Sequence, residues 1–312
     1  MPSFAAPARQ AELARRVRIG YMRPEVAGAL TTEWFRRLER FLESDGGLRE
    51  AFAREGYGGI GMVSAEGFND LVRRMDAQEL DCVFCPAVAF CRQLGDYTVV
   101  FQLKGPNDRG RGKYIFHHGV VIVNSHHPLF RNPQERNQEV PPQLIASHFT
   151  SEPVALVSRY SAAGYIYPSN DLLRSGVRAL PERPVFCGSS EEVVKMVLSD
   201  VVAMGACERG ALEDVVRPLQ SGGIEVTDAQ VLDILLTTPG CPTDPVIFRQ
   251  RFSPDRSDLG RRLKDALARF FSIDRPGRLR LEDSQDSAFD GLRAALREFD
   301  KSTAEVAAGE AR

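Results

Sequence analysis

Residues 154–173 read VALVSRYSAAGYIYPSNDLL, and this stretch carries the pattern that decides the fold. The apolar run at 154–158 predicts a strand. Residues 161–175 predict a helix that starts in the turn rich in serine, alanine and glycine. The same unit is predicted to follow twice more, with strands at 184–188 and 201–207 and helices at 190–199 and 208–217. Strands that alternate with helices are typical of a parallel sheet covered by helices.

The N-terminal part of the chain shows the same alternation. Strands are predicted at Val17–Met22, Ile60–Ser64 and Leu80–Phe84. Thr31 and Thr32 can cap a helix whose apolar face is formed by Trp34, Phe35, Leu38, Phe41 and Leu42. Two C-terminal helices have similar faces, one at Leu259, Leu263, Leu267 and Phe270 and the other at Phe289, Leu292, Leu296 and Phe299.

Two β-rich regions interrupt this alternation. Residues 96–104 and 114–124 form long β-type runs on either side of the loop GPNDRGRGK, and residues 234–249 resemble a returning strand. We interpret these regions as crossings between two lobes. The prediction is an α/β protein in which residues 15–112 and 236–300 form the first lobe and residues 113–235 form the second.

Composition limits the functional classes. The 312 residues carry a net charge of −2, from 40 basic and 42 acidic side chains, so no basic surface for nucleic acid is expected. Six cysteines are too few for a disulfide scaffold and indicate reduced thiols. No apolar run reaches the roughly 18 residues of a membrane span or the length of a secretory signal core. The expected location is the cytoplasm, or the periplasm if an export signal was removed.

Five segments, in chain order, resemble the phosphonate-binding receptors of ABC importers. They are FNDLVRRMDAQELDCVFCPAVAF, HHGVVIVNS, VALVSRYSAAGYIYPSNDLL, GSSEEVVKMVLSDVVAMGACE and TTPGCPTDPVIFR. The resemblance runs from about Val17 to Phe271. It implies the type 2 periplasmic-binding-protein fold, with two α/β lobes, each a mixed sheet flanked by helices, joined by two hinge strands.

The resemblance also implies a function. We expect a solute-binding protein that closes around a small oxyanion, such as a phosphonate, phosphate or phosphite, for ABC-type uptake or for sensing. An ABC permease or a sensor kinase would be its partner. No enzymatic activity, cofactor, resident metal, nucleic acid or membrane insertion is expected.

The turn at Ser161–Gly164 is the predicted anion site. Free N–H groups and the dipole of a helix N-terminus favour an anion, Ser161 can add a hydroxyl, and Arg159 can add a guanidinium. The family has further hydroxyls where this chain has alanines, and a histidine where it has Ser190. The full set of predicted ligand-binding residues is Tyr21, Arg23, Cys85, Arg159, Ser161, Ala162, Ala163, Gly164, Ser189, Ser190, Cys207 and Glu208.

Two alternatives remain open at this point. Cys85, Cys187 and Cys207 each follow or end a predicted strand, and three converging thiols would suit an arsenite-type sensor, although buried cysteine is also a common small apolar residue. The other alternative is a cytosolic enzyme on the same fold, of the menaquinone- or thiamine-pathway kind. No pair of carboxylates and no histidine–nucleophile pair is confined to the predicted cleft, where Glu208 is the one acidic candidate.

For the remaining motifs, a structural role is a better interpretation than a catalytic or ligand-binding role. Cys82 and Cys85 form a C-x-x-C without a second pair at zinc spacing. Gly56, Gly58 and Gly61 form a G-x-G-x-x-G that precedes a strand, so a turn is the better interpretation. The four histidines His117, His118, His126 and His127 bracket one strand and can bind a metal, but solvated or hydrogen-bonded side chains are the commoner case.

Overall fold

A computed structural model of the chain describes residues 15–23, 30–110, 115–129, 140–175, 180–221 and 232–310. The chain forms two compact units. The first consists of Met1–Ile115 and Thr243–Ala288, and the second of Phe116–Pro242 and Phe289–Arg312. The chain therefore passes from one unit to the other three times.

The strands and helices are numbered in chain order. The described strands are β1 (Val17–Met22), β2 (Ile60–Ala65), β3 (Cys82–Phe84), β4 (Tyr97–Lys104), β5 (Phe116–Asn124), β6 (Pro153–Leu156), β7 (Arg183–Phe186), β8 (Met204–Glu208), β9 (Leu232–Pro242), β10 (Pro245–Arg249) and β11 (Arg280–Asp283). The described α-helices are α1 (Thr32–Ser44), α2 (Gly46–Glu55), α3 (Phe68–Asp76), α4 (Ala87–Arg92), α5 (Pro142–Ser151), α6 (Tyr167–Arg174), α7 (Ser190–Leu198), α8 (Arg209–Ser221), α9 (Asp258–Ile273) and α10 (Asp290–Glu310). Among the described helices, none has the length and apolar character of a membrane span.

The first unit contains a mixed six-stranded sheet in the order β11-β4-β10-β3-β1-β2. Strand β1 is parallel to β2 and β3, whereas β10 is antiparallel to both β3 and β4. Thr31 caps helix α1, because its Oγ1 accepts a hydrogen bond from the Trp34 N–H at 3.1 Å. The Trp34 and Phe35 rings are buried with an edge-to-face geometry at 5.0 Å, so the predicted apolar face of α1 forms part of the core.

The second unit contains a mixed five-stranded sheet in the order β7-β6-β8-β5-β9. Strands β6, β7 and β8 are mutually parallel, and β5 is antiparallel to β8 and to β9. Alternate residues of β5 enter two apolar clusters, with Val121 and Val123 in one and Val120 and Ile122 in the other. Strand β5 is therefore buried on both faces, as its continuous apolar run suggests.

The unit boundaries differ from the predicted lobes at the C-terminal side. Residues 236–242 and 289–300 were predicted in the first lobe, but they belong to the second unit. Strand β9 pairs with β5 as far as Pro242, which keeps the end of β9 in the second sheet. Helix α10 packs on the same unit, where Phe299 contacts Tyr165 at 5.5 Å and Ala295 O accepts a hydrogen bond from Asn170. The chain therefore crosses between the units a third time, just before α10, in addition to the two predicted crossings.

Candidate functional site

Strand β5 begins at the side of the second sheet where four other strands end. These are β6, β7, β8 and β9. This arrangement follows from the parallel pairing of β6, β7 and β8 and from the antiparallel position of β5 between β8 and β9. We call this side of the second unit the carboxyl edge. It gathers the segments 116–119, 158–164, 187–190, 207–208 and 238–241. Open α/β sheets bind ligands at such an edge.

The turn after β6 leads into a helix through a single wide turn. Residues Ala162–Ile166 form a π-helical turn that continues directly as α6, and the Ile166 N–H donates to Ser161 O at 3.0 Å. The Ser161 hydroxyl oxygen accepts from the Gly164 N–H at 3.0 Å. The N–H groups of Ala162 and Ala163 lie in the first turn, where no carbonyl of the same helix can accept from them. The Ser161 hydroxyl hydrogen also remains available for donation, because the cap uses only a lone pair.

Two glycines fix the position of this turn. A Cβ atom at Gly119, in β5, would overlap the main-chain oxygen of Ala163, and one at Gly164 would overlap the side chain of Val157. Gly119 also donates its N–H to Thr238 Oγ1 at 2.9 Å and lies opposite Glu208 in the β5–β8 ladder. The Ser161–Gly164 turn is therefore seated directly on the first residues of β5.

Helix α7, which also begins at the carboxyl edge, differs from the Ser161 turn because its first turn is acidic. The Ser189 hydroxyl caps α7 by accepting from the Glu192 N–H at 3.2 Å, and Ser190 Oγ accepts from the Glu208 N–H at 3.1 Å. The first turn of α7 contains Glu191 and Glu192, whose carboxylates already complement the positive end of the helix. The turn after Ser161 contains only alanines and a glycine. An incoming anion therefore meets less repulsion at Ser161 than at Ser189.

A cation lies beside the Ser161 turn. The Arg159 side chain is exposed, and its guanidinium carbon is 5.2 Å from the centre of the Phe186 ring. Phe186, at the end of β7, is 37% exposed and contacts Tyr165 edge-to-face at 6.0 Å. Burial raises the pKa of the Tyr165 hydroxyl, and the positive charge of Arg159 acts in the opposite direction. Arg159 thus lies over an aromatic side chain, and no carboxylate among the described residues forms an ion pair with it.

Two of the three candidate thiols are core side chains, and the third, Cys187, is half-buried against the core. Cys207 is fully buried in the apolar cluster that also contains Val193, and burial raises the pKa of its thiol. Cys187 packs against the same cluster with its sulfur 3.2 Å from Met196 Sδ. Strand β6 separates the strands that carry these two cysteines, a gap of about 10 Å between strand axes. In the first unit Cys85 is buried beside Pro245 O, and burial raises the pKa of its thiol. This packing disfavours the thiol alternative.

The first-unit candidates occupy different environments. Tyr21 is buried and stacks on Phe35 with ring centroids 3.8 Å apart, so its ring contributes to the core. Arg23 is exposed after β1, and its N–H donates to Ala65 O at 2.9 Å. The N-terminus of α4 already has an internal anion, because the Ala87 N–H donates to Asp244 Oδ1 at 2.9 Å.

Gly119 and Thr238 were not among the predicted site residues. An isolated glycine within the β-rich run HHGVVIVN is a signal for close approach of another backbone, and it points to Gly119. No comparable signal marks Thr238, which contacts Gly119 only because β9 pairs with β5. The neighbouring His118 is hydrogen-bonded through Nδ1 to Thr238 O at 2.9 Å, as expected for a locally satisfied histidine.

Comparisons with known proteins agree with this architecture. The family described as the phosphonate periplasmic substrate-binding protein of ABC transporters matches residues 48–304. No curated protein matches the sequence. A binding-protein component of an ABC phosphonate transporter from Pseudomonas aeruginosa is 14% identical with a TM-score of 0.55, covering 94% of this chain and 89% of that chain.

Two further structures have the same fold. PhnD1 from Prochlorococcus marinus in complex with methylphosphonate is 12% identical, with a TM-score of 0.61 and coverage of 92% of this chain and 99% of that chain. A Xanthomonas citri protein bound to chloride ion is 15% identical, with a TM-score of 0.61 and coverage of 93% and 99%, respectively. The predicted two-lobed α/β fold is confirmed.

Proposed function

The chain belongs to the family of periplasmic substrate-binding proteins of phosphonate ABC transporters, and we propose that it binds a small oxyanion at the carboxyl edge of its second sheet. The predicted resemblance to this family is confirmed. The protein is a substrate-binding protein and not an enzyme, because the family consists of transport receptors.

The Ser161–Gly164 turn is the observation that carries this proposal. It offers the N–H groups of Ala162 and Ala163 and the hydroxyl of Ser161 at the positive end of a helix that has no acidic residue in its first turn. Arg159 supplies a full positive charge two residues away. These groups are all donors, which suits the oxygen atoms of a tetrahedral anion and does not suit a cationic ligand.

The alanines narrow the ligand class. A side-chain hydroxyl at Ala162 or Ala163 would donate to a further oxygen of the anion, so the two alanines leave the main chain, Ser161 and Arg159 as the donors of this turn. Each missing hydrogen bond to a buried anion oxygen costs about 1–3 kcal/mol. Compact anions with few oxygens to satisfy, such as phosphite or a simple alkylphosphonate, therefore fit this unit better than a large phosphate ester.

We further propose that ligand binding brings the two units together and that an ABC permease, or a sensor protein, reads the closed form. Three chain crossings connect the units, and short connections of this kind absorb hinge rotations. A smaller radius of gyration in saturating methylphosphonate, measured by small-angle scattering, is the expected sign of closure. An unchanged profile at saturation would exclude closure.

Thermal-shift measurements on the full chain test the ligand class. The set of probes is methylphosphonate, phosphite, phosphate, sulfate, methanesulfonate and arsenite, each at low and at high sodium chloride concentration. A bound anion raises the melting temperature by mass action, and added salt should reduce the effect because Arg159 is exposed. Stabilisation by one or more tetrahedral oxyanions is expected. Stabilisation by arsenite alone, or by none of the anions, would overturn the proposal.

A further inference from the structure

Three metal-ligand side chains meet on the opposite side of the second sheet from the carboxyl edge. His127 lies in the turn that follows β5, His148 lies in the last turn of α5, and Glu152 directly precedes β6. Because β5 ends and β6 begins on this side, the three residues are remote from the Ser161 turn. This cluster has no part in the proposed anion site.

The carboxylate of Glu152 lies between the two imidazoles. His127 Nε2 is 2.8 Å from Glu152 Oε2, and His148 Nδ1 is 2.6 Å from Glu152 Oε1. The two rings are nearly perpendicular with centroids 4.9 Å apart. One ligand atom from each residue lies within 4.8 Å of the other two. These distances already approximate a three-ligand metal site.

The surroundings are partly closed. The His127 side chain is 1% exposed, whereas those of His148 and Glu152 are 26% and 28% exposed. Two ligands from the end of α5 and one from a buried turn form a site with one open side, where water can occupy a fourth position. Two histidines and one glutamate with an open position are a ligand set that zinc accepts.

The hydrogen bonds assign the ring protons of the metal-free protein. The Leu129 N–H donates to His127 Nδ1 at 3.1 Å, so Nδ1 has no proton and Nε2–H donates to Glu152. Glu152 also accepts from Nδ1–H of His148. Both imidazoles therefore donate to the same carboxylate, and each of them presents one nitrogen to the centre of the cluster.

We propose that His127, His148 and Glu152 bind a divalent transition metal ion such as Zn²⁺. The metal replaces the two N–H···O contacts with N–metal and O–metal bonds of about 2.0–2.2 Å. The His148 proton moves to Nε2 on the exposed side of the ring. The His127 proton moves to Nδ1, where it displaces the Leu129 N–H. Coordination through His127 thus needs no net release of its proton and breaks the hydrogen bond from the Leu129 N–H to the His127 side chain.

Calorimetric titration of the reduced full-length chain with Zn²⁺ tests this inference. We expect one site at this cluster, with affinity at least about ten-fold lower in Glu152→Gln and in His148→Asn, because replacing a ligand costs no less than replacing one of its hydrogen-bond partners. His126→Asn is the matched control, because His126 is exposed one residue away from His127 and is outside the cluster. Its affinity should equal that of the unmodified protein.

Two further signals separate this site from adventitious binding. Co²⁺ should give the visible bands of tetrahedral coordination without thiolate charge-transfer bands, because the cluster contains no cysteine. Thiolate bands would instead indicate binding at a half-buried thiol, Cys91 or Cys187. The Leu129 amide resonance should shift on addition of Zn²⁺ in the His126→Asn protein, and the same shift should need a higher Zn²⁺ concentration in the Glu152→Gln protein. Equal Zn²⁺ affinity in all variants, thiolate bands with Co²⁺, or the absence of saturable binding would overturn the assignment.

Discussion

Gly119 lies so close to Ala163 that any side chain at position 119 would overlap the main-chain oxygen of Ala163. This contact joins β5 to the turn after β6, and it is buried. The ladder between β5 and β8 also places Glu208 opposite Gly119. The position of the anion-binding turn is therefore set by a glycine more than forty residues earlier in the chain.

Replacing Gly119 with alanine tests this contact. The added methyl group must displace the turn, so we expect a loss of about 1–3 kcal/mol in the free energy of unfolding and at least a ten-fold loss of oxyanion affinity. The matched control is Gly61→Ala in β2, where the new Cβ would meet only the Arg16 side chain at 3.7 Å. Chemical denaturation and calorimetry measure both quantities. Full oxyanion affinity in Gly119→Ala would show that the turn is positioned by other contacts.

Gln102 joins the segments at which the chain leaves and re-enters the first unit. Its Nε2 donates to Ile115 O at 3.0 Å and to Thr243 O at 3.3 Å, and its Oε1 accepts from Ser284 Oγ at 2.8 Å. The side chain is fully buried, and all three contacts lie within four residues of a crossing.

We expect Gln102→Met to lower the free energy of unfolding by about 2–4 kcal/mol, because the replacement fills the volume but leaves buried polar groups without partners. Urea denaturation measures the change. Gln93→Met is the control, since the Gln93 side-chain oxygen has no hydrogen-bond partner among the described residues. Similar losses of unfolding free energy in the two variants would show that the hydrogen bonds of Gln102 contribute no special stabilisation.

Asp70 provides a test of pH dependence. The side chain of Arg73, the Glu66 N–H and the side chain of Arg74 hold the pKa of Asp70 at about 2, below its usual 3.8. A carboxyl whose pKa is lower in the folded state stabilises the fold above the unfolded pKa and loses that effect as the pH falls through the folded pKa. The urea midpoint of Asp70→Asn should therefore lie below that of the unmodified protein at pH 6, with the gap narrowing towards pH 3. A gap that is independent of pH would contradict the assigned pKa.

The buried thiols should react slowly with alkylating reagents in the folded protein. Burial raises the pKa of Cys241 to about 12 and raises the pKa values of the other buried cysteines, so little thiolate forms near neutral pH. Mass spectrometry after iodoacetamide treatment of the folded protein should find the buried thiols unmodified, at Cys82, Cys85, Cys207 and Cys241. The same treatment in urea should modify all of them. Rapid native alkylation that arsenite prevents would restore the thiol-sensor alternative.

Much of the fold was predictable, because the hydrophobic period and the residue propensities of a segment largely determine whether it forms a strand or a helix. Strand β1 has the predicted bounds Val17–Met22, and the apolar face of α9 lies in the core through Leu259 and Leu263. Two helices, α2 and α5, were not predicted. Their apolar positions are few, and α5 begins at the second of two consecutive prolines, a dipeptide that is typical of a loop.

The remaining differences arise from tertiary packing. Residues 234–249 were predicted as one strand, but β9 ends at Pro242 and β10 begins at Pro245 because the chain changes unit between them. The apolar face of α10 was predicted correctly, yet an amphipathic pattern does not specify which lobe the face covers. The Ser161 turn was predicted from its place between a strand and a helix and from the family resemblance. The His127 cluster has no such local pattern, because it includes Glu152, twenty-five residues further along the chain.

The most direct test of the anion-binding proposal compares two serine caps by calorimetry. Ser161 and Ser257 each accept from the N–H of a glycine three residues later, at the same distance of 3.0 Å, but only Ser161 lies at the carboxyl edge. Replacing either serine with alanine should cost about 0.5–2 kcal/mol of stability. Titration with the oxyanion that gives the largest thermal shift should show affinity two- to about thirty-fold lower in Ser161→Ala and unchanged in Ser257→Ala. Equal affinity in both variants would contradict the assignment of the Ser161 turn as the oxyanion site.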